Sequence, residues 1–309
     1  MTTLTIVVPC HNEAAVLPET SRQLLSLLDN LHEQGKISAD SRVVFVDDGS
    51  RDDTWNLIEE FSAREPRLQG TKLSRNYGHQ NALLAGLMTV EGDVVVSVDA
   101  DLQDDLSVIG KMIDAHEEGA DIVYGVRSVR DVDTPFKRLS AVMYYKLLNW
   151  MGVDVVFNHA DYRLLSRRAL DALKEYSEVN LFLRGLVPTL GFQSSIVSYE
   201  RHRRYAGESK YPLHKMLGLA IDGVTSFSAF PLRLIAGLGV IVFLASMGLS
   251  IWVLWTRLFT DNAIPGWASS VLPMYLLGGI QLFSIGILGE YISKVYLETK
   301  RRPRYIIEK

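Results

Sequence analysis

One cysteine, Cys10, in a chain of 309 residues excludes a disulfide within a single copy and suits a domain facing a reducing compartment. Glycine loops that cradle phosphate are also missing: neither G-x-G-x-x-G nor G-x-x-x-x-G-K-[ST] occurs, which disfavours ordinary dinucleotide and P-loop folds. No charge of one sign dominates. A net of −4 gives no electrostatic case for nucleic acid as a partner. The chain opens on strand-like Leu4–Val8 with no basic segment leading into an apolar core, so no cleaved signal peptide is expected. Repeats and low-complexity tracts are absent.

Charge itself is missing from two long stretches, Leu234–Trp255 and Asn262–Gly289. Each exceeds the roughly 20 residues that cross about 30 Å of hydrocarbon as a helix, so membrane spans are expected at about 234–256 and 267–290. Trp252, Trp255, Trp267, Tyr275 and Tyr291 stand near the ends, where interfacial anchors belong. Lys294, Lys300, Arg301, Arg302, Arg304 and Lys309 follow the second stretch, and Lys210, Lys215 and Arg233 precede the first. The positive-inside rule then puts both termini in the cytoplasm and the connection around Asp261–Gly266 outside. Between 213 and 230, Met216, Leu217, Ala220, Ile221, Val224 and Phe227 share one helical face opposite Lys215, Gly218, Asp222 and Ser226, as in a helix lying in the interface.

What is present before the membrane region, with 48% hydrophobic residues overall, is an alternation of strand and helix signals typical of an α/β layer with a mostly parallel sheet. Strands are expected at 4–8, 43–46, 68–73, 94–98, 122–124 and 195–199, and helices at 54–64, 81–90, 136–151 and 180–192. Polar clusters recur at one end of successive strands: Pro9-Cys-His-Asn-Glu13, Asp47-Asp-Gly-Ser50, Ser74-Arg-Asn-Tyr-Gly-His79 and Asp99-Ala-Asp-Leu-Gln-Asp104. Open α/β sheets bind ligands at the carboxyl ends of their strands. Asp99 and Asp101, two apart after a β-branched run, offer hard oxygens to Mg²⁺ or Mn²⁺, and Gln103 adds a neutral oxygen. Asp161 and Arg163 are also two apart and can reach one cavity; the alternative is a surface ion pair worth at most about 1 kcal/mol. Arg201-His-Arg-Arg-Tyr-Ala-Gly-Glu-Ser-Lys210 is suited to gripping phosphate oxygens, or to resting on anionic headgroups.

Pro9-x-x-Asn-Glu13, Asp47-Asp-Gly-Ser50 with Asp53-Thr54, Arg75-Asn76-x-Gly78, Asp99-x-Asp101-x-Gln103-Asp104 and Ala160-Asp-Tyr-Arg-Leu164 together resemble glycosyltransferase family 2. Arg204-x-Ala-Gly-x-Ser-Lys210, two C-terminal spans, Gly289-Glu-Tyr-Ile292 and Glu298-Thr-Lys-Arg-Arg-Pro-Arg-Tyr305 narrow the likeness to polyprenyl-phosphate glycosyltransferases of the bactoprenol glucosyltransferase type, and more distantly to dolichol-phosphate mannose synthase. Any one motif is weak; their order and spacing across nearly the whole chain are strong.

The resemblance implies a cytoplasmic GT-A domain over 1–212, a juxtamembrane helix over 213–230 and two transmembrane helices within 231–309. It implies that Pro9, Glu13 and Asp48 frame uridine and ribose, and that Asp99, Asp101 and Gln103 hold the metal and diphosphate. Arg204 and Lys210 would reach the donor diphosphate, and Arg127, Arg138 and Arg163 the lipid phosphate. Asp161, the position of a proposed base in related enzymes, would join Asp101 as catalytic. The expected reaction is inverting transfer of a hexose, glucose from UDP-glucose above others, to undecaprenyl phosphate at the inner membrane of a bacterium. By the same resemblance the chain is expected to form a homo-oligomer, with a tetramer as the expected size. UDP-N-acetylglucosamine, UDP-formamido-arabinose and GDP-mannose are rival donors, and a catalytically silent membrane partner is the rival from outside enzymology. A processive polysaccharide synthase is disfavoured, since Q-x-x-R-W is lacking. Two departures bear on donor choice: His79 stands where many relatives carry lysine, and Asp105 where bactoprenol enzymes often have proline.

Overall fold

The computed structural model describes residues 1–127, 159–179, 181–200, 230–259 and 267–309. Seven strands form one sheet: β1 (Leu4–Cys10), β2 (Arg42–Asp47), β3 (Leu68–Lys72), β4 (Val94–Ser97), β5 (Ile122–Arg127), β6 (His159–Ser166) and β7 (Ser194–Tyr199). Their order is β3-β2-β1-β4-β6-β5-β7, and every neighbouring pair is parallel except those that β6 makes. This is the mostly parallel α/β sheet expected of a GT-A-like domain.

Strict alternation along β1 builds a core on both faces. Leu4, Ile6 and Val8 meet α1 (Leu17–Glu33), α2 (Thr54–Arg64) and α4 (Val108–Glu117) through Leu24, Leu28, Ile58, Ile109 and Met112. Val7 faces the other way, toward α3 (His79–Thr89), in a cluster that also takes in α5 (Arg167–Lys174) and α6 (Leu183–Thr189). A strand with both faces covered reads as a continuous apolar run, which is why β1, β2 and β4 are legible without alternation. Helix α3 lies so close that a Cβ on Gly86 would collide with Val7 Cγ1 and stand 2.9 Å from Val46 Cγ2.

From β1 the chain winds outward to β2 and β3, while β4 lies on the opposite side of β1. That reversal opens a crevice outside the carboxyl ends of β1 and β4. Strand β6 runs antiparallel between β4 and β5 and enters the sheet from that same rim, with Ser97 opposite Arg163. The sequence pattern suggests a polar loop here, because charges at 161 and 163 break the strand signal. They are accommodated because they neutralise each other inside the sheet. Helices α1, α4 and α5 are likewise additions to the expected set, whereas α2 falls on its expected bounds.

Two long helices follow, α7 (Phe230–Phe259) and α8 (Trp267–Lys300). Leu238, Val240, Ile241, Leu244, Ile251, Leu282 and Ile285 are exposed on them. The side chains of some of their residues lie outside the described set, and among the described residues no helix is long and apolar enough to cross a membrane. The expected helices at 136–151 and 213–230 fall almost wholly outside the described residues. Helix α8 stops where Arg301 takes φ 47 and Pro303 follows, which cannot continue a helix.

Adding one methyl at the α3 contact forces buried valines apart. Gly86→Ala should therefore cost about 1–3 kcal/mol of stability, read as a lower urea midpoint for the detergent-solubilised chain. An unchanged midpoint would mean that α3 sits farther from β1 than the geometry requires.

Candidate active site

Pro9 sits in a central strand yet forfeits no ladder bond. The Val7 carbonyl accepts from the Val98 N–H, so odd residues of β1 point toward β4, and Pro9 lies past the end of β4 at Ser97. Beyond it, the loops after β1 and β2 are laced together. The Glu13 N–H donates to Thr54 Oγ1 at 2.9 Å, the Asn12 N–H donates to Ser50 Oγ at 3.0 Å, and the Arg51 N–H donates to Asn12 Oδ1 at 2.8 Å.

Asp48 is buried, and its carboxylate accepts from the Tyr77 N–H at 2.6 Å and the Gly78 N–H at 2.9 Å. It thereby anchors the loop 74–78. Gly49, at φ 62, lets that loop approach: a Cβ there would lie 2.5 Å from backbone atoms of Arg75 and Asn76. His11 completes the wall, with Nδ1 3.0 Å from the Asp48 carbonyl oxygen and Nε2 3.0 Å from Asn76 Nδ2. His11, Asn12, Gly49, Arg51, Arg75 and Asn76 line a cavity of about 320 Å³ at the carboxyl ends of β1 and β2. A larger hollow of about 700 Å³, lined by Thr3, Arg42, Gln69 and Asp93 among others, opens at the amino ends of the strands, away from the acidic rim.

The turn after β4 is held from behind. Thr20 Oγ1 donates to the Ala100 carbonyl at 2.8 Å, Tyr162 Oη donates to the Asp105 carbonyl at 2.9 Å, and Tyr199 Oη donates to buried Asp104. Leu102 takes φ 55, a left-handed conformation costly for a branched side chain, and the Gln103 N–H donates to Asp101 Oδ1 at 3.2 Å. Asp99 faces the crevice with 37% of its side-chain surface open. Its carboxyl nevertheless sits among enough protein that burial lifts its pKa to about 6; His79 opposes this, and Asp104, Asp161 and Asp101 add to it.

Asp161 is 6% exposed and stands at the head of β6. Arg163 Nη2 donates to its Oδ1 at 2.5 Å, and Arg184 Nη2 to its Oδ2 at 3.1 Å. Burial alone would raise this carboxyl, but His79, Arg184 and Arg163 outweigh burial and hold it well below the usual carboxylate range. His79 Nε2 lies 3.5 Å from Asp99 Oδ1 and 3.6 Å from Asp161 Oδ2, bridging the two acids. Burial lowers the imidazole's pKa, and the two carboxylates more than reverse that, leaving it raised.

Pro9, Glu13, Asp48, Asp99, Asp101 and Asp161 all stand at the rim formed by the carboxyl ends of β1, β2 and β4 and the head of β6, and none of them lines the 320 Å³ cavity. Arg163 is a correction in placement. Expected at a lipid phosphate or in a surface pair, it is 1% exposed, with Nη1 on the Leu183 carbonyl and Nη2 on Asp161. Its burial turns it into a support for Asp161. Gln103, at 6% exposure, is turned inward. Arg127 ends β5 at the same rim, its side chain outside the described set, and Arg138, Arg204 and Lys210 lie outside the described residues. Arg184 is a site residue that the sequence reading does not single out, and His79 is named there only as a departure from the family pattern. The signal for Arg184 is available: a lone cation in Leu181-Phe-Leu-Arg-Gly-Leu-Val187 needs a buried acid.

Among the described residues no three His, Cys, Asp or Glu side chains converge into a complete cation cage. Mg²⁺ and Mn²⁺ do not require one, since one or two carboxylates plus substrate phosphates suffice. Burial is the main cause of the raised Asp99 pKa, and the acids at 104, 161 and 101 that add to it make a negative neighbourhood that favours a cation. The donor set therefore fits such an ion.

Residues 5–174 match the Glycosyl transferase family 2 description, and residues 230–295 match a GtrB C-terminal hairpin. An uncharacterized glycosyltransferase of Bacillus subtilis is 49% identical over 99% of this chain and 91% of its own length. The bactoprenol glucosyl transferase of Shigella phage SfX is 38% identical over 99% of this chain and 98% of its own. A mannosyltransferase of Pyrobaculum calidifontis, solved with GDP-Man and Mn²⁺, covers 96% of this chain and 85% of its own at 18% identity and a TM-score of 0.46, too distant to carry an argument about chemistry.

Removing the carboxylate of Asp161 strands a buried guanidinium. Asp161→Ala should cost about 3–5 kcal/mol in urea unfolding, and pairing Asp161→Leu with Arg163→Met should recover most of that loss. Strictly additive losses in the double variant would show that the two charges do not depend on each other.

Proposed function

Because the chain belongs to glycosyltransferase family 2 and is a glycosyltransferase with full-length bactoprenol glucosyltransferase relatives, we propose that it transfers glucose from UDP-glucose to undecaprenyl phosphate. The transfer takes place at the cytoplasmic face of a bacterial inner membrane. The observation that carries this reading is the continuity of the acidic rim, through His79 and the loop 74–78, with the 320 Å³ cavity. A pyrophosphate seated at that junction has the cavity for its nucleoside and the acids for its cation. The uncharged stretches of α7 and α8, with exposed apolar side chains, support anchoring beside a lipid substrate.

An oxygen of the lipid phosphate attacks C1 of the sugar. The bond from C1 to the β-phosphate oxygen of UDP breaks, its electron pair leaves with UDP, and the anomeric centre inverts. A phosphate monoester has a second pKa of about 6, so the nucleophile is already ionised at neutral pH. A carboxylate saturated by two guanidinium groups is a poor proton acceptor. We therefore assign Asp161 to orientation of Arg184 and His79 rather than to proton abstraction. Asp99 and Asp101 would hold Mg²⁺ or Mn²⁺, and an ion bound there would offset the charge that develops on UDP. Arg127 and the cations at 138, 204 and 210 are left to grip phosphate groups.

Purified protein with undecaprenyl phosphate and radiolabelled UDP-glucose should yield a labelled lipid. Asp101→Ala should lower kcat by about a hundredfold or more without loss of membrane insertion. Absence of lipid-linked label with glucose, N-acetylglucosamine, formamido-arabinose and mannose donors alike would overturn the reading.

Asp99 accepts a cation only when ionised. Affinity for Mn²⁺ in the presence of UDP should therefore strengthen as pH rises through about 6 and level off above it, measured by calorimetry. A flat profile from about pH 5 to 7 would remove Asp99 from the ligand set.

A further inference from the structure

Strand β3 is the outer strand on its side of the sheet, and an outer strand presents unpaired N–H and C=O groups. Here the end of the chain covers those of Lys72, the last residue of the strand. The Lys72 N–H donates to the Lys309 carbonyl at 2.8 Å, the Glu308 N–H to the Lys72 carbonyl at 2.8 Å, and the Ser74 N–H to the Ile306 carbonyl at 3.0 Å, around an antiparallel bridge between Leu73 and Ile307. Lys309 Nζ reaches Glu59 Oε1 on α2 at 2.5 Å. Upstream, Tyr305 packs on the core face that holds Leu73, Arg304 Nη1 donates to the Tyr176 carbonyl at 3.0 Å, and the Val179 N–H donates to Glu298 Oε2 at 2.9 Å. From the last turn of α8 onward, the chain is thus fastened to the 176–179 segment, to β3 and to α2.

These fastenings lead into the cavity. Ser74 opens the loop whose Arg75 and Asn76 line it. From inside, Asp48 holds that loop at Tyr77 and Gly78; from outside, the Ile306 carbonyl holds it at Ser74. A loop gripped at both ends keeps its shape when empty, so a ligand does not have to order it.

We propose that Glu298–Lys309 is a positioning strap that holds the cavity wall Ser74–Gly78 in its donor-binding shape and ties it to the end of α8. The proposal rests on the reading of the cavity as the nucleotide-sugar site. Residues of the strap are positioning residues: none lines the cavity, Ile306 acts through Ser74, Glu308 and Lys309 act through Lys72 at the end of β3, and Glu298 and Arg304 fix the strap to the 176–179 segment.

The test compares Glu308→Pro with Glu308→Ala in the full-length protein. Proline removes the N–H that pairs with Lys72, whereas alanine keeps it and loses only the exposed contact to Lys72 Nζ at 3.4 Å. Hydrogen exchange at Lys72 and Ser74 should quicken by about tenfold or more in the proline variant, while Val44 on β2 and Val95 on β4 stay protected, reporting an intact sheet. The KM for UDP-glucose should rise about tenfold with kcat within about threefold, and the alanine variant should match the unaltered protein in both respects. Unchanged exchange at Lys72 and Ser74 in Glu308→Pro, or equal changes in the two variants, would overturn the strap. If the unaltered protein transfers no sugar, the functional reading fails while the exchange comparison still decides whether the strap exists.

Discussion

Charge compensation inside the sheet is the constraint on which the site depends. Strand β6 carries Asp161 and Arg163 into the middle of the sheet, between β4 and β5, where neither could stay ionised alone at acceptable cost. Each is the other's partner, and Arg184 from α6 supplies the second guanidinium. The carboxylate is fixed in place, and through His79 it is coupled to Asp99 across the crevice. Displacing this cluster would move the acidic rim with it.

Around that cluster, positional order comes from polar groups held by backbone rather than by bulk. Asp48 commits its carboxylate to two N–H groups of the next loop, and Gly49 permits the close passage that makes those bonds short. The turn after β4 is tied by Thr20, Tyr162 and Tyr199 to three different elements. Such support from behind leaves the front of the turn, with Asp99, open to solvent and ligand.

Much of this is legible from local pattern. The apolar runs of β1, β2 and β4 announce buried parallel strands, and the polar clusters after them mark the rim. Asp99 and Asp101 stand out because strand-then-acids is a local signal. Strand β6 is not legible, since its charges look like loop until a partner is found in space. Arg163 points to a ligand in the sequence for the same reason: nothing in its neighbours shows that it is 1% exposed. His79 looks like a departure from the family pattern at one position, and only the fold reveals that this position faces two acids at once.

By itself the sequence determined the layer type, the order of the strand-end clusters, the family and the two uncharged stretches, because each is written in local patterns or in the order of such patterns along the chain. The tertiary structure alone decided which acid pairs with which cation, which side chains stay open, and that residues 306–309 pair with the end of β3 at Lys72 and with Ser74 beyond it. Those outcomes depend on contacts between segments up to 250 positions apart, such as the ion pair of Lys309 with Glu59, and burial and charge pairing arise only when such segments meet.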